Sequence, residues 1–161
     1  MIRAHWADIP ISVDTFRAHI ADLALQHGAD MINDVYGGEA DTCMWEVVKR
    51  HNVPYVLTHS HAIADTTSGQ YDPTLSQTLD YLQGRLSYLH RSGVKDVVVD
   101  PGFGFGKTLE QNYALLRQLE VLHVLHAPIL VGVSRKSMLY KPLQTIPQDV
   151  LPATTAAHMI A

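Results

Sequence analysis

Val97-Val98-Val99-Asp100-Pro101-Gly102-Phe103-Gly104-Phe105-Gly106-Lys107-Thr108 reads as one complete β-then-α unit. Three valines in succession give a run without polar alternation, the pattern of a parallel strand buried on both faces. The run closes on a carboxylate. Glycines at 102, 104 and 106 then alternate with phenylalanines where the chain must leave the strand, and Thr108 with Gln111 forms a capping box that opens a helix. Leu115, Leu119 and Leu122 put apolar side chains on one face of that helix.

The same unit recurs on either side. Ile11-Ser12-Val13-Asp14, Met31-Ile32-Asn33-Asp34 and Pro54-Tyr55-Val56-Leu57-Thr58-His59 precede it, and Pro128-Ile129-Leu130-Val131-Gly132-Val133-Ser134 follows. Between them, Leu75, Leu79, Leu82, Leu86 and Leu89 recur at spacings of four and three and paint one helix face. Gly28 and Gly93 stand where helices should stop. Five such units predict an α/β fold with about five parallel strands. A closed (β/α)8 barrel takes about 250 residues, so 161 residues correspond to an incomplete portion of one. A five-stranded doubly wound sheet is the alternative. Every strand ends in a polar residue (Asp14, Asn33 with Asp34, His59, Asp100, Ser134), which favours a barrel, where strand ends share one catalytic mouth. Polar strand ends also arise simply because loops begin there.

Composition narrows the function. Apolar residues at 47% and charged residues at 17% suit one globular domain spanning 1–161. A net charge of −4 with no basic block argues against nucleic acid or an anionic membrane as partner. No apolar run reaches the ~20 residues of a membrane span. The lone Cys43 allows no internal disulfide, and with no secretory leader visible the expected location is cytoplasmic.

Three segments can carry chemistry. The Asp100–Thr108 loop lets backbone approach a ligand closely at its glycines, and Phe103 and Phe105 offer flat walls for a planar ring. Its tail has three residues, not four, between Gly102 and Gly106-Lys107-Thr108, which excludes a triphosphate loop. A structural glycine turn with core phenylalanines is the plainer reading. Ser134-Arg135-Lys136-Ser137 places two cations and two hydroxyls at a helix start, suited to an anion or carboxylate, or else to a solvated surface. Asp14 and Asn33, on adjacent strand ends, can bind a heterocycle with donors and acceptors, although Asp14 could cap a helix at Thr15 and Asp34 a turn. His59 and His61 would face the same way on a strand, as paired metal ligands do, but no further ligand set accompanies them and no metal site is predicted.

Together, Val13-Asp14-Thr15, Ile32-Asn33-Asp34-Val35 with Gly37-Gly38, residues 100–108 and residues 130–137 resemble the dihydropteroate synthase family in order and spacing. The resemblance covers essentially all 161 residues. It implies an eight-stranded β/α barrel, of which this chain matches strands three to seven, and a folate-pathway transferase. That family joins p-aminobenzoate to 6-hydroxymethyl-7,8-dihydropterin diphosphate. It further implies that Asp14, Asn33, Asp100 and Lys136 hold the pterin, with Asp100 on the 2-amino and N3 edge and Gly132 leaving room. By the same resemblance, Asp14, Asp100 and Lys136 carry the catalytic roles. Ser137 receives the p-aminobenzoate carboxylate, and Phe105 with the Lys136 stem flanks its ring.

The chain departs from the family at Thr58, where a methionine is usual, and at Ser60-His61-Ala62. The family's first-strand loop, which carries the magnesium ligand, its second-strand Ser-Thr-Arg loop and its last-strand Arg-x-His are absent from these 161 residues. The expectation is therefore an inactive fragment with exposed sheet edges, prone to associate, with a homodimer among the arrangements expected. A corrinoid-linked pterin methyltransferase barrel and a non-catalytic pterin-binding subunit are the alternatives.

Overall fold

Tyr55, Leu57, Val97 and Val99 alternate with Val56, Thr58, Val98 and Asp100 along two neighbouring strands, and that alternation organises the molecule. The computed structural model describes residues 2–60 and 75–161. Strands β1 (Ser12–Asp14), β2 (Met31–Asp34), β3 (Tyr55–Thr58) and β4 (Val97–Asp100) form one parallel sheet in the order β1-β2-β3-β4. The helices are α1 (Ile2–His5), α2 (Ala18–Gln26), α3 (Met44–His51), α4 (Leu75–Ser92), α5 (Leu109–Arg117), α6 (Ser137–Tyr140) and α7 (Leu151–Ile160). A 3-10 helix at Leu119–Leu125 follows α5, so the predicted single helix breaks at Gln118.

Ile32, Tyr55, Leu57, Val97 and Val99 join Leu82, Leu89, Leu115 and Leu122 in one apolar core beneath the helices. Each fully buried leucine contributes about 1.5–3 kcal/mol. Met44, Val47 and Val48 supply the buried stripe of α3, and Leu82, Leu86 and Leu89 that of α4. Leu75 and Leu79 pack against the core while half-buried. The predicted punctuation holds as well: Gly28 and Gly93 end their helices at φ 91° and 97°. The Thr108–Gln111 capping box is formed in both directions, at 3.3 and 2.6 Å.

Sequential strand order without a reversal, and one core on one side, is the arrangement of a β/α barrel segment rather than of a doubly wound sheet. The fifth expected strand is corrected. Residues 128–134 touch the sheet through a single parallel bridge at Ile129, with Val99 N–H donating to Pro128 O at 2.9 Å and Leu130 N–H donating to Val99 O at 2.8 Å. In a parallel ladder the bonds on either side of this pair need an N–H at 128 and at 101. Both positions are proline and have none to give. Among the described residues β1 pairs only with β2, so it is an edge, as expected.

Candidate functional site

Register fixes which side chains share the face opposite the helices. Asp14 pairs with Asn33, Asn33 with Val56 and Val56 with Val98; one step further, Thr58 pairs with Asp100. Paired residues in a parallel sheet project to the same side, so Asp14, Asn33, Thr58 and Asp100 line one surface at the C-terminal ends of the strands. Neighbouring strands are about 4.8 Å apart, which sets the row from β1 to β4 at about 14 Å along the sheet. Asn33 Nδ2 donates to Asp14 Oδ2 over a long 3.4 Å. That contact leaves Asn33 Oδ1 pointing elsewhere, buried and without a partner among the described residues. Asp14 itself caps no helix. The N–H of Ala18, where α2 begins, donates to Asp41 Oδ2 at 2.8 Å.

Asp100 is 7% exposed and accepts one hydrogen bond, from Gly102 N–H at 2.7 Å. Burial pushes its carboxyl above the ordinary carboxylate value, against the Gly102 N–H and the Lys136 and Lys107 ammoniums, which hold it down. Lys107 donates to His59 O at 3.0 Å and to Gly102 O at 2.9 Å; burial brings it down to about 7, with Asp100 pulling the other way. Lys136 donates to Phe103 O and lies over the Phe105 ring, 4.7 Å from its centroid. It too is lowered by burial and sustained by Asp100. An ideal Cβ on Gly132 would stand 3.9 Å from Lys136 Nζ. A half-buried Ser137 opens α6 directly after Lys136.

Gly102 shows why the loop needs glycine. Its φ is +73°, and a Cβ there would fall 1.9 Å from His59 O. Asn112, buried on the inner face of α5, stitches the loop further: Gly104 N–H donates to its Oδ1 at 2.7 Å, and its Nδ2 donates to Lys107 O and Thr108 O. Sequence reasoning singles out neither Asn112 nor Lys107 as a site residue. The signal for Asn112 is present, since a carboxamide occupies a position on the apolar stripe of Leu115, Leu116 and Leu119.

The structure thus brings Asp14 to Asn33, and Lys136 to Phe105 and Gly132, with the Lys136 ammonium acting on Asp100. Asp34, next to Asn33, belongs to the other face. It is completely buried and accepts from Tyr36 N–H, Gly38 N–H and Tyr55 Oη–H at 2.8–2.9 Å, which is the turn-capping role. His59 is buried with Nδ1 3.1 Å from Thr78 Oγ1, and His61 lies outside the described residues. Among the described residues no group of three His, Cys, Asp or Glu side chains is placed to hold a metal ion, and none of the helices is long and apolar enough to cross a membrane.

The family model for pterin binding enzymes matches residues 1–161. This chain belongs to the pterin-binding enzyme family. It is 38% identical over 155 residues to the dihydropteroate synthase of Clostridium beijerinckii, covering 95% of this chain and 56% of that protein. Identity to the Synechocystis sp. dihydropteroate synthase is 40% over 140 residues, covering 84% and 48%. The chain thus spans about half the length of these curated relatives. Among solved structures, the Thermus thermophilus dihydropteroate synthase in complex with 6HMPPP superposes with a TM-score of 0.86 at 37% identity, covering 94% of this chain and 60% of that one. The Xanthomonas albilineans enzyme with 4-aminobenzoic acid gives 0.87 at 32%, covering 94% and 55%. These pterin-binding relatives share the parallel β/α fold expected from the sequence.

Proposed function

We propose that this chain supplies the pterin- and p-aminobenzoate-binding part of a dihydropteroate synthase. The observation that carries the reading is Asp100: a buried carboxylate that accepts one hydrogen bond, on the same face as Asn33 Oδ1, which has no partner among the described residues. An aminopyrimidinone edge presents two adjacent N–H donors, the complement of a carboxylate, and charge-assisted bonds of this kind are the strong ones. Relatives named as complexes with 6HMPPP, 4-aminobenzoate and 7,8-dihydropteroate support the substrate pair.

In the proposed reaction the arylamine nitrogen attacks the pterin 6-methylene carbon. A C–N bond forms, the C–O bond to diphosphate breaks, and the amine proton leaves to solvent. Positive charge develops on the pterin as diphosphate departs, and Asp14 and Asp100 offset it with fixed negative charge in a site of low dielectric. Lys136 contacts the pterin carbonyl side, releasing Phe103 O to do so. Phe105 and the Lys136 stem flank the p-aminobenzoate ring, Ser137 takes its carboxylate, and Gly132 leaves space for the pterin. A cytoplasmic location, pairing with a second copy and a magnesium ion bound outside the described residues belong to the same proposal.

Calorimetric titration of the longest reading frame carrying this chain, with 6-hydroxymethylpterin and then p-aminobenzoate plus diphosphate, tests it. Saturable pterin binding, with diphosphate release when both true substrates are supplied, is expected. A protein that binds no pterin overturns the reading. The isolated 161 residues are expected to release no diphosphate.

A further inference from the structure

Two buried side-chain oxygens have no hydrogen-bond partner among the described residues, Asn33 Oδ1 and Thr58 Oγ1. They are not scattered. Both lie on the face that carries Asp14 and Asp100, and Thr58 stands directly opposite Asp100 in the register. Orphaned buried oxygens are uncommon, because each forgoes a bond that water would have provided. Thr58 is 1% exposed, so bulk water does not satisfy it there. Valine would fill the same space with no such cost. Among the described residues nothing pairs with this hydroxyl, and the face it shares with Asp100 is open to a ligand.

We propose that Thr58 Oγ1 is a ligand-contacting hydroxyl that donates a hydrogen bond to an acceptor atom of the heterocycle held by Asp100. This rests on the pterin reading above. The Asp100 carboxylate and Asn33 Oδ1 accept, and Asn33 Nδ2 donates one hydrogen bond to Asp14 Oδ2. Thr58 brings a rotatable proton to the same surface, one strand spacing from Asp100. It therefore reads an unprotonated ring nitrogen or an oxo group beside the edge that the carboxylate holds. It is a specificity-determining residue: a ring with a C–H or a methyl group at that atom loses the bond.

Two pairs of variants in the longest reading frame isolate the hydroxyl. Thr58→Val removes it at constant volume, and Thr58→Ser against Thr58→Ala differ by it alone, so one pair decides if the other fails to fold. With 6-hydroxymethylpterin as the calorimetric probe, Thr58→Val is expected to bind about three- to tenfold more weakly than the wild type, and Thr58→Ala than Thr58→Ser, the range of a neutral hydrogen bond. Without ligand the thermal midpoint of Thr58→Val is expected to hold or rise, since an unpaired hydroxyl has been removed. Equal pterin affinity within each pair overturns the proposal while leaving the pterin reading intact. A wild type that binds no pterin overturns both.

Discussion

Two carboxylates end different strands of the same sheet, and they are used in opposite ways. Asp34 closes β2 on the helix face, and Asp100 closes β4 on the open face. Both are buried, and burial raises both above the ordinary carboxylate value. Asp34 is saturated by Tyr36, Gly38 and Tyr55, so it knits the loop after β2 to the core. Among the described residues Asp100 accepts from Gly102 N–H alone, with two ammoniums nearby that are tied to backbone carbonyls. One carboxylate has spent its lone pairs on the fold. The other leaves most of them open on the face proposed for the pterin.

The contrast breaks down most visibly if Asp34 is removed. Asp34→Ala strands two N–H groups and a tyrosine hydroxyl, and we expect a loss of about 3–5 kcal/mol in urea denaturation. For Asp100→Asn the expected loss is on the order of 2–4 kcal/mol in pterin affinity by calorimetry, with the fold retained. Stability against pH sharpens this. The folded Asp100 holds its proton above the unfolded value of 3.8, so wild-type stability falls as pH rises from 3.8 through the folded value. The Asn variant lacks that fall, and its denaturation midpoint should gain on the wild type over this range.

A third test uses the glycines whose N–H groups serve the two carboxylates. A Cβ on Gly38 would fall 2.2 Å from Trp45 Nε1, as one on Gly102 would meet His59 O, and both residues have positive φ. Gly38→Ala and Gly102→Ala should each cost about 2 kcal/mol of stability, but only Gly102→Ala should also weaken pterin binding. The smallest effect is expected from Thr108→Ala, about 1 kcal/mol of stability through the lost cap, with pterin affinity unchanged. A change in affinity there would show that the loop, and not Asp100 itself, sets the binding.

Four strands were legible because their apolar runs are nearly continuous, and β-branched residues such as Ile32, Val56 and Val97–Val99 leave little else to form. The run at 128–134 has the same composition, yet composition does not count backbone donors. Pro101 and Pro128 remove the flanking bonds, and that becomes visible only once the register is known. Asn33 and Asp34 teach a related lesson. Adjacent on a strand, they must face opposite ways, but which one meets the ligand follows from the side the helices cover. Thr58 stands out in the sequence as a departure where the family usually has methionine. That its hydroxyl lacks a partner is a property of three-dimensional packing and could not be read from the chain.

The two prolines have a further consequence. Residues 128–134 lead into Lys136 and Ser137, yet only two backbone hydrogen bonds fasten the run to β4. Parting it from β4 breaks those two bonds, whereas parting β3 from β4 would break a full ladder; Val133 holds the run chiefly by packing in the core. Amide exchange at Leu130 should therefore outpace that at Leu57 by orders of magnitude. The wall that the resemblance assigns to p-aminobenzoate is thus held by side-chain packing, and the floor proposed for the pterin by a backbone ladder.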